Sequence, residues 1–289
     1  MQKQILTVLT CYVMLLIGCG QQEIAENTSE LRIISLSPNL TEIIFSLGLE
    51  HNIVGVTDYC KYPPEAAQKP HVGGVLNPNY EVMLSLRPTL VFGLPSHEAM
   101  RGRFKAIGAE LIIVRNETIQ DVLDSLVAIG SATGKEHKSQ VMVEGINTKI
   151  NKHRGLGASS LKVLIIVGRT PGALQQIYAV GKGTFLDELV SIAGGVNVLE
   201  ESLGNYPIIS KETIIAANPD VIIDASFGTV LTEEVIQKEK AVWEGLGSIT
   251  AVKEKRIFII NDPHLTIPGV HIPEQIEYLA QIIQDKQGK

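Results

Sequence analysis

One short pattern occurs twice in this chain, and it constrains the fold more than any other feature. Glu81 is followed seven residues later by Pro88 and the run Thr89-Leu90-Val91-Phe92, and Glu212 is followed at the same distance by Pro219 and Asp220-Val221-Ile222-Ile223. Proline cannot continue a helix and biases its predecessor toward extended backbone. Each copy therefore reads as a short helix, a stop and a buried strand. Two equivalent lobes are the simplest account of the repetition.

Apolar runs alternate with helical patterns around both copies. Strands are expected over 32–36, 53–56, 89–92 and 110–114, with helices opening at Thr41 and Tyr80 and another from about Glu98 to Ile107. The second half starts again, with strands over 162–167, 220–223 and 256–260 and helices over 184–193, from Lys211, over 232–245 and from Pro273. Such alternation indicates right-handed crossovers on parallel sheets, so the expected class is α/β with two doubly wound lobes. Between them, Val143, Ile146 and Ile150 share one helical face. A helix from Lys135 to His153 would reach about 28 Å at 1.5 Å per residue, enough to join the lobes. The expected divisions are an N-terminal lobe over 31–133, a single long connecting helix within 134–157 and a C-terminal lobe over 158–289.

The start of the chain differs from the rest. Lys3 is the only charge before an apolar run from Ile5 to Ile17, which ends in Gly18-Cys19. This run is too short for a permanent membrane span and reads as a signal peptide over 1–18. Leu16-Ile17-Gly18-Cys19 resembles the lipobox of lipoproteins, which implies an acylated Cys19 at the mature N-terminus. Residues 19–30 are polar and acidic and are expected to act as a flexible tether. Cys11 leaves with the signal and Cys19 is blocked, so Cys60 is the remaining thiol and an internal disulfide is excluded. A net charge of −6 and a pI near 5.7 offer no basic stripe for nucleic acid.

Local motifs were weighed for chemistry. The first strand runs into Ser37-Pro38-Asn39, and Asn39 with Glu42 has the spacing of a capping box. A helix start beyond a strand end presents backbone N–H groups to a ligand. Gly181-Lys182-Gly183-Thr184 lacks the first glycine of a phosphate loop, since position 176 is Gln176. No Gly-x-Ser-x-Gly elbow occurs, and Cys60 has no base near it in sequence and reads as a packed thiol. His71, His97, His264 and His271 could approach one cleft from three loops, but they lack the density of a metal site. Neither an enzyme, a resident cofactor nor a structural metal is expected.

Arg32-Ile33-Ile34-Ser35-Leu36-Ser37-Pro38-Asn39-Leu40-Thr41-Glu42, Gly55-Val56-Thr57-Asp58-Tyr59-Cys60-Lys61-Tyr62-Pro63-Pro64 and Val72-Gly73-Gly74 resemble the substrate-binding proteins of ABC importers for cobalamin and iron chelates. The likeness continues through Val180-Gly181-Lys182-Gly183 and Ala193-Gly194-Gly195-Val196-Asn197. It implies a class III periplasmic binding protein with a shallow cleft between lobes and limited closure. It also implies that Glu81 and Glu212 dock arginines of the membrane permease. Candidate ligand contacts are Pro38, Asn39, Tyr59, Leu94, Ser96, Tyr178, Tyr206, Asp262 and His264, groups at strand ends. Aromatic faces suit a flat macrocycle, and Tyr59 and Tyr206 match aromatic positions of the cobalamin binders. Val75 and Leu94 fall where those proteins carry tryptophan, and Thr266 lies near a missing arginine, which admits a smaller corrinoid, a haem or a siderophore. Arg101, Arg103, Arg169 and Lys182 are the few basic residues near strand ends, too few for an anionic siderophore, so the reading leans to a corrinoid. The expected partners are that chelate, an ABC permease and a membrane reached through the lipid, with the protein a monomer in the periplasm or at the cell surface.

Overall fold

The computed structural model describes residues 30–154, 161–199, 203–227, 231–260 and 262–285. The expected signal peptide, Cys19 and all of the tether but Glu30 lie outside the described residues, as do residues 155–157 at the end of the expected connecting segment. Among the described residues, no helix is long and apolar enough to cross a membrane.

The first lobe contains β1 (Ile33–Ser35), α1 (Pro38–Ser46), β2 (Ile53–Val56), α2 (Tyr80–Ser85), β3 (Leu90–Gly93), α3 (Arg101–Lys105), β4 (Glu110–Ile113) and α4 (Ile119–Ala132). Its strands form a parallel sheet in the order β2-β1-β3-β4. Strand order reverses between β1 and β3, and open α/β sheets bind ligands outside the carboxyl ends of strands at such a point. Helix α4 escapes the alternation of apolar runs read above. Its signals are nevertheless present: Ile119, Val122, Leu123 and Leu126 recur at helical spacing, and Thr118 and Asp121 form a reciprocal capping box.

The connecting helix α5 (Glu136–Arg154) has 19 residues, displaced by one from the expected 135–153. The second lobe follows with β5 (Lys162–Gly168), β6 (Ile177–Ala179), α6 (Phe185–Ile192), β7 (Val196–Asn197), β8 (Ile208–Ile209), α7 (Lys211–Ala217), β9 (Val221–Asp224), α8 (Glu233–Ala241), α9 (Thr250–Lys253), β10 (Ile257–Ile259) and α10 (Ile272–Gln284). Its sheet runs β10-β9-β5-β6-β8, with β7 also beside β5. Strand β6 is antiparallel to both β5 and β8, an addition beside the expected parallel core of β10, β9 and β5, with β7 also parallel to β5. Two or three residues are too few to show a period in sequence.

The repeated pattern extends to the atoms. Glu81 and Glu212 are the second residues of α2 and α7, whose starts are capped by Asn79 and Ser210. Thr89 and Asp220 each give a backbone N–H to the residue heading the central strand, Arg32 O at 3.0 Å and Lys162 O at 2.8 Å. Each accepts that residue's N–H on its side chain, at 3.0 and 2.8 Å. The residues before the two prolines, Arg87 and Asn218, have φ of 46° and 44°. This overturns the expected extended backbone there: both helices end in a left-handed residue, the usual way to turn a chain out of a helix.

Side chains alternate across each sheet. Ile33, Val163 and Ile165 point into one apolar cluster drawn from both lobes, which also holds Leu40 and Ile44 of α1, Leu126 of α4, Ile146 and Ile150 of α5, Phe185 of α6 and Ile276 of α10. Ile34, Met83 and Phe104 fill the other face of the first sheet, and Leu164, Ile214 and Trp243 that of the second. The lobes are therefore fused through a shared helical layer. Two hydrogen bonds of 2.6 Å also cross it, from Phe185 N to Glu117 O and from Ile119 N to the Glu188 carboxylate. Parting the lobes would expose several such side chains at about 1.5–3 kcal/mol each.

Candidate functional site

The segments after β1, β2, β3 and β10 carry Pro38, Asn39, Tyr59, Leu94, Ser96, Asp262 and His264, whereas Tyr178 lies within β6 and Tyr206 just before β8, which corrects the expectation that these two stand at strand ends. Helix α1 begins at Pro38 with Ser37 as its N-cap residue, and Ser37 makes no side-chain cap. The Asn39–Glu42 capping box is thus corrected: proline at the first helical position starts the helix early, because its missing N–H leaves nothing unsatisfied there. Asn39 and Glu42 are instead buried inside the helix, and Ser37 Oγ donates to Asn39 Oδ1 at 2.6 Å. Thr41 Oγ1 lies 2.8 Å from Ser35 Oγ and 3.1 Å from Cys60 Sγ, which also meets Thr57 Oγ1 at 3.1 Å. This buried knot ties the loops after β1 and β2 together. Burial holds the Cys60 thiol above its usual pKa, as befits a packed thiol.

Next to Cys60, Tyr59 is 63% exposed, and the Leu76 side chain stands out even further. Leu94 is half-buried and Ser96 exposed in the turn after β3. His97 organises that turn: its Nδ1 accepts from Leu94 N at 2.9 Å and its Nε2 lies 2.6 Å from Val75 O. His97 is buried and spent on the backbone, whereas His71 lies on the surface 3.2 Å from Asp58.

The second lobe presents Tyr178 and Tyr206, 42% and 48% exposed. The Tyr178 ring packs over Gly168, where a Cβ would meet it at 3.4 Å, in ordinary contact. At Gly181 a Cβ would collide with the Gly204 carbonyl oxygen, so glycine permits the loop carrying Tyr206 to close onto the sheet, where Gly181 N donates to Asn205 O at 2.7 Å. Burial, and then the nearby Glu117 carboxylate, raise the Tyr206 hydroxyl above its ordinary pKa. Arg169, at the end of β5, is wholly committed inside the lobe. Its Nε meets Asp224 Oδ2 at 2.6 Å, its Nη2 meets Glu239 Oε2 at 2.7 Å, and its guanidinium lies 5.1 Å from the Phe227 ring centre.

Beyond β10, Asp262 Oδ1 accepts from His264 N at 2.9 Å. Here the lobes meet through side chains: the His264 ring stands edge-on to Tyr62, centroids 4.0 Å apart, and its Nδ1 is 3.8 Å from Glu42 Oε1. Burial pushes the Glu42 carboxyl up to about 8. The backbone approaches that carboxyl at Gly269, where a Cβ would lie 2.8 Å from Glu42 Oε2. Burial also lowers the pKa of His271, whose ring is 5.7 Å from Tyr62. Tyr62, Asp262, His264, His271, Gln275 and Tyr278 surround a cavity of about 300 Å³. Tyr62, Gln275 and Tyr278 were missed in sequence, although His271, Gln275 and Tyr278 recur at i, i+4 and i+7 on one helical face. Among the described residues, no group of three or more His, Cys, Asp or Glu could hold a metal ion.

Glu81 and Glu212 stand exposed at their helix starts, away from these contacts. A hydrogen bond with the Ser210 side chain, and then one with its own backbone, hold the Glu212 carboxyl below the ordinary range.

Residues 33–263 match the periplasmic binding protein family, and the chain belongs to it. It is 29% identical over 274 residues to an uncharacterized ABC transporter substrate-binding lipoprotein, YvrC, of Bacillus subtilis, covering 91% of this chain and 83% of the relative. It is 24% identical over 259 residues to a vitamin B12-binding protein of Vibrio cholerae, covering 89% and 90%. Among solved structures, the periplasmic heme-binding protein HutB of Vibrio cholerae superposes with a TM-score of 0.76 at 22% identity, over 89% of this chain and all of the other. The α/β fold of two lobes joined by one helix is that of these proteins.

Proposed function

We propose that this periplasmic binding protein is the lipid-anchored capture component of an ABC importer and carries a corrinoid to its permease without chemical change. The observation that carries the reading is an exposed set of aromatic rather than cationic side chains. Tyr59 stands exposed after β2 of the first lobe, and Tyr178 within β6 and Tyr206 just before β8 of the second, while Arg169 is consumed by Asp224 and Glu239. Stacking on tyrosine combines large apolar burial with little loss of side-chain freedom. An anionic siderophore would instead call for converging free cations. Pro38, Asn39, Leu94, Ser96, Asp262 and His264 complete the proposed contacts. The divisions over 31–133, 134–157 and 158–289 are its two walls and their strut, and the lipid on Cys19 holds the protein near a membrane.

The test is calorimetry of the lipid-free Cys19→Ser protein against cobalamin, cobinamide, haem and ferric siderophores. Saturable heat with a corrinoid and none with the siderophores is expected; no heat with any of them overturns the ligand class. Haem carriage is a second reading, favoured by one contact: His264 and Tyr62, both residue types that ligate haem iron, meet between the lobes. A Soret shift on adding haem, lost in His264→Ala, would select it.

A further inference from the structure

The cavity of about 300 Å³ beside His264 has a polar lining that specifies what can enter it. Gln275 is buried, and its Nε2 donates to the carbonyls of His264 at 2.6 Å and Ile267 at 2.9 Å. Those bonds fix the amide's orientation, so Oε1 is an acceptor, and it has no partner among the described residues. A buried acceptor left bare is costly, which is why nearly all such atoms are satisfied. Of the other polar groups of the lining, the carboxylates of Asp262 and Glu274 only accept, the hydroxyls of Tyr62 and Tyr278 donate or accept, and the imidazoles of His264 and His271 carry at least one N–H each. Burial keeps the His271 ring toward its neutral form. Among the described residues, no lysine or arginine lines the cavity; Lys149 pairs with Glu274 at 3.3 Å and lines the adjacent cavity instead. The remaining walls are the rings of Tyr62, His264 and Tyr278.

With two carboxylates, a bare amide oxygen and neither Lys nor Arg among its described residues, such a lining favours N–H donors over carboxylates. A cavity this size has room for a short side arm together with water, given roughly 30 Å³ per water. We propose that it is the subsite for a primary-amide arm of the cleft ligand, and that through it the protein selects an amide-bearing macrocycle over a carboxylate-bearing one. This rests on the corrinoid reading above and adds the chemical basis of selection. The amide nitrogen donates to Gln275 Oε1 and to a rim carboxylate, and the arm's methylenes pack on the rings.

The test compares cobinamide with the same compound after partial hydrolysis of its side-chain amides to carboxylates, by calorimetry at pH 7.5. At least tenfold weaker binding of the carboxylate form is expected. Glu274→Lys, an exposed change that places a cation at the rim, is expected to raise affinity for the carboxylate form and narrow the gap to under threefold. Equal affinity of the two compounds for the unaltered protein overturns the subsite and leaves the corrinoid reading standing. If neither compound binds, the corrinoid reading falls and the subsite with it. A tenfold gap that Glu274→Lys leaves unchanged also overturns the subsite, because the selection then lies elsewhere in the cleft.

Discussion

The two lobes share a frame and differ in how they hold their walls. In both, a capped helix start, an exposed glutamate, a left-handed residue, a proline and a pair of hydrogen bonds to the central strand recur in the same order. The wall of the first lobe is held by neutral groups, with His97 bridging two loops and Thr41, Thr57 and Cys60 joining two others. That of the second is held by a buried arginine between two carboxylates. The common part is what a two-lobed permease face would grip. The divergent part lies buried beneath the surfaces proposed to take a single asymmetric ligand. The largest expected effect breaks the shared frame: Glu81→Arg with Glu212→Arg should abolish uptake in a transport assay while calorimetric affinity stays unchanged, and each single reversal should fall between. Unaltered uptake in the double variant would sink the docking role.

The second test sets one wall against the other. Arg169→Met leaves Asp224 and Glu239 buried without their cation and should cost about 3–5 kcal/mol in urea unfolding. His97→Ala leaves Leu94 N and Val75 O without their partner and should cost about 1–3 kcal/mol. Equal losses would remove the distinction between a charged and a neutral wall. The Arg169 variant should also blunt ligand binding, because Arg169 steadies the Asp224 carboxylate that accepts the N–H and hydroxyl of Ser226 at 3.2 and 2.6 Å.

Between the walls, Glu42 makes stability depend on pH. Its carboxyl moves from 4.5 to about 8 through burial, so the folded protein binds a proton that the unfolded chain has released across that window. Stability therefore falls as pH rises from about 4.5 to 8, by on the order of a few kcal/mol. Glu42→Gln keeps the shape without the charge and should flatten the slope, leaving the variant the more stable at pH 8. Urea midpoints at pH 5, 6.5 and 8 check this. A wild-type midpoint that holds level or climbs contradicts it.

The fold was legible wherever an element was long enough to have a period. The connecting helix was located to within one residue from Val143, Ile146 and Ile150, and the Glu-to-Pro spacing exposed the repeat. Strands β6 and β8 were not legible, because they exist by pairing with distant chain: Ile177 opposite Ile209 and Tyr178 opposite Ile208. The candidate site divides in the same way. Residues at strand ends follow from topology, so Tyr59 and His264 could be named, whereas Tyr206, which precedes β8, was named through the resemblance. Glu42 read as a capping residue, since its sequence spacing carries no trace of Pro38 drawing the helix start back and burying it. The cavity behind His264 needs Tyr62 of one lobe against Gln275 and Tyr278 of the other, a juxtaposition set by packing alone.

The smallest effect separates the two copies of the repeat at their left-handed residues. For most side chains that conformation costs about 1–2 kcal/mol, and asparagine tolerates it better. Arg87 is exposed, with φ of 46°. Arg87→Gly relieves the strain and gives back about 0.5–1 kcal/mol as backbone freedom, for a net gain of roughly 0.5 kcal/mol. Asn218 has little strain to relieve, and its Oδ1 accepts from Thr250 N at 2.9 Å, joining α7 to α9. Asn218→Gly loses that bond and should cost about 1 kcal/mol. The same substitution at equivalent positions is thus expected to raise the thermal midpoint in one lobe and lower it in the other. Shifts of the same sign would mean that the side chain at 218 serves only the backbone, and that the two lobes are more alike than their contacts indicate.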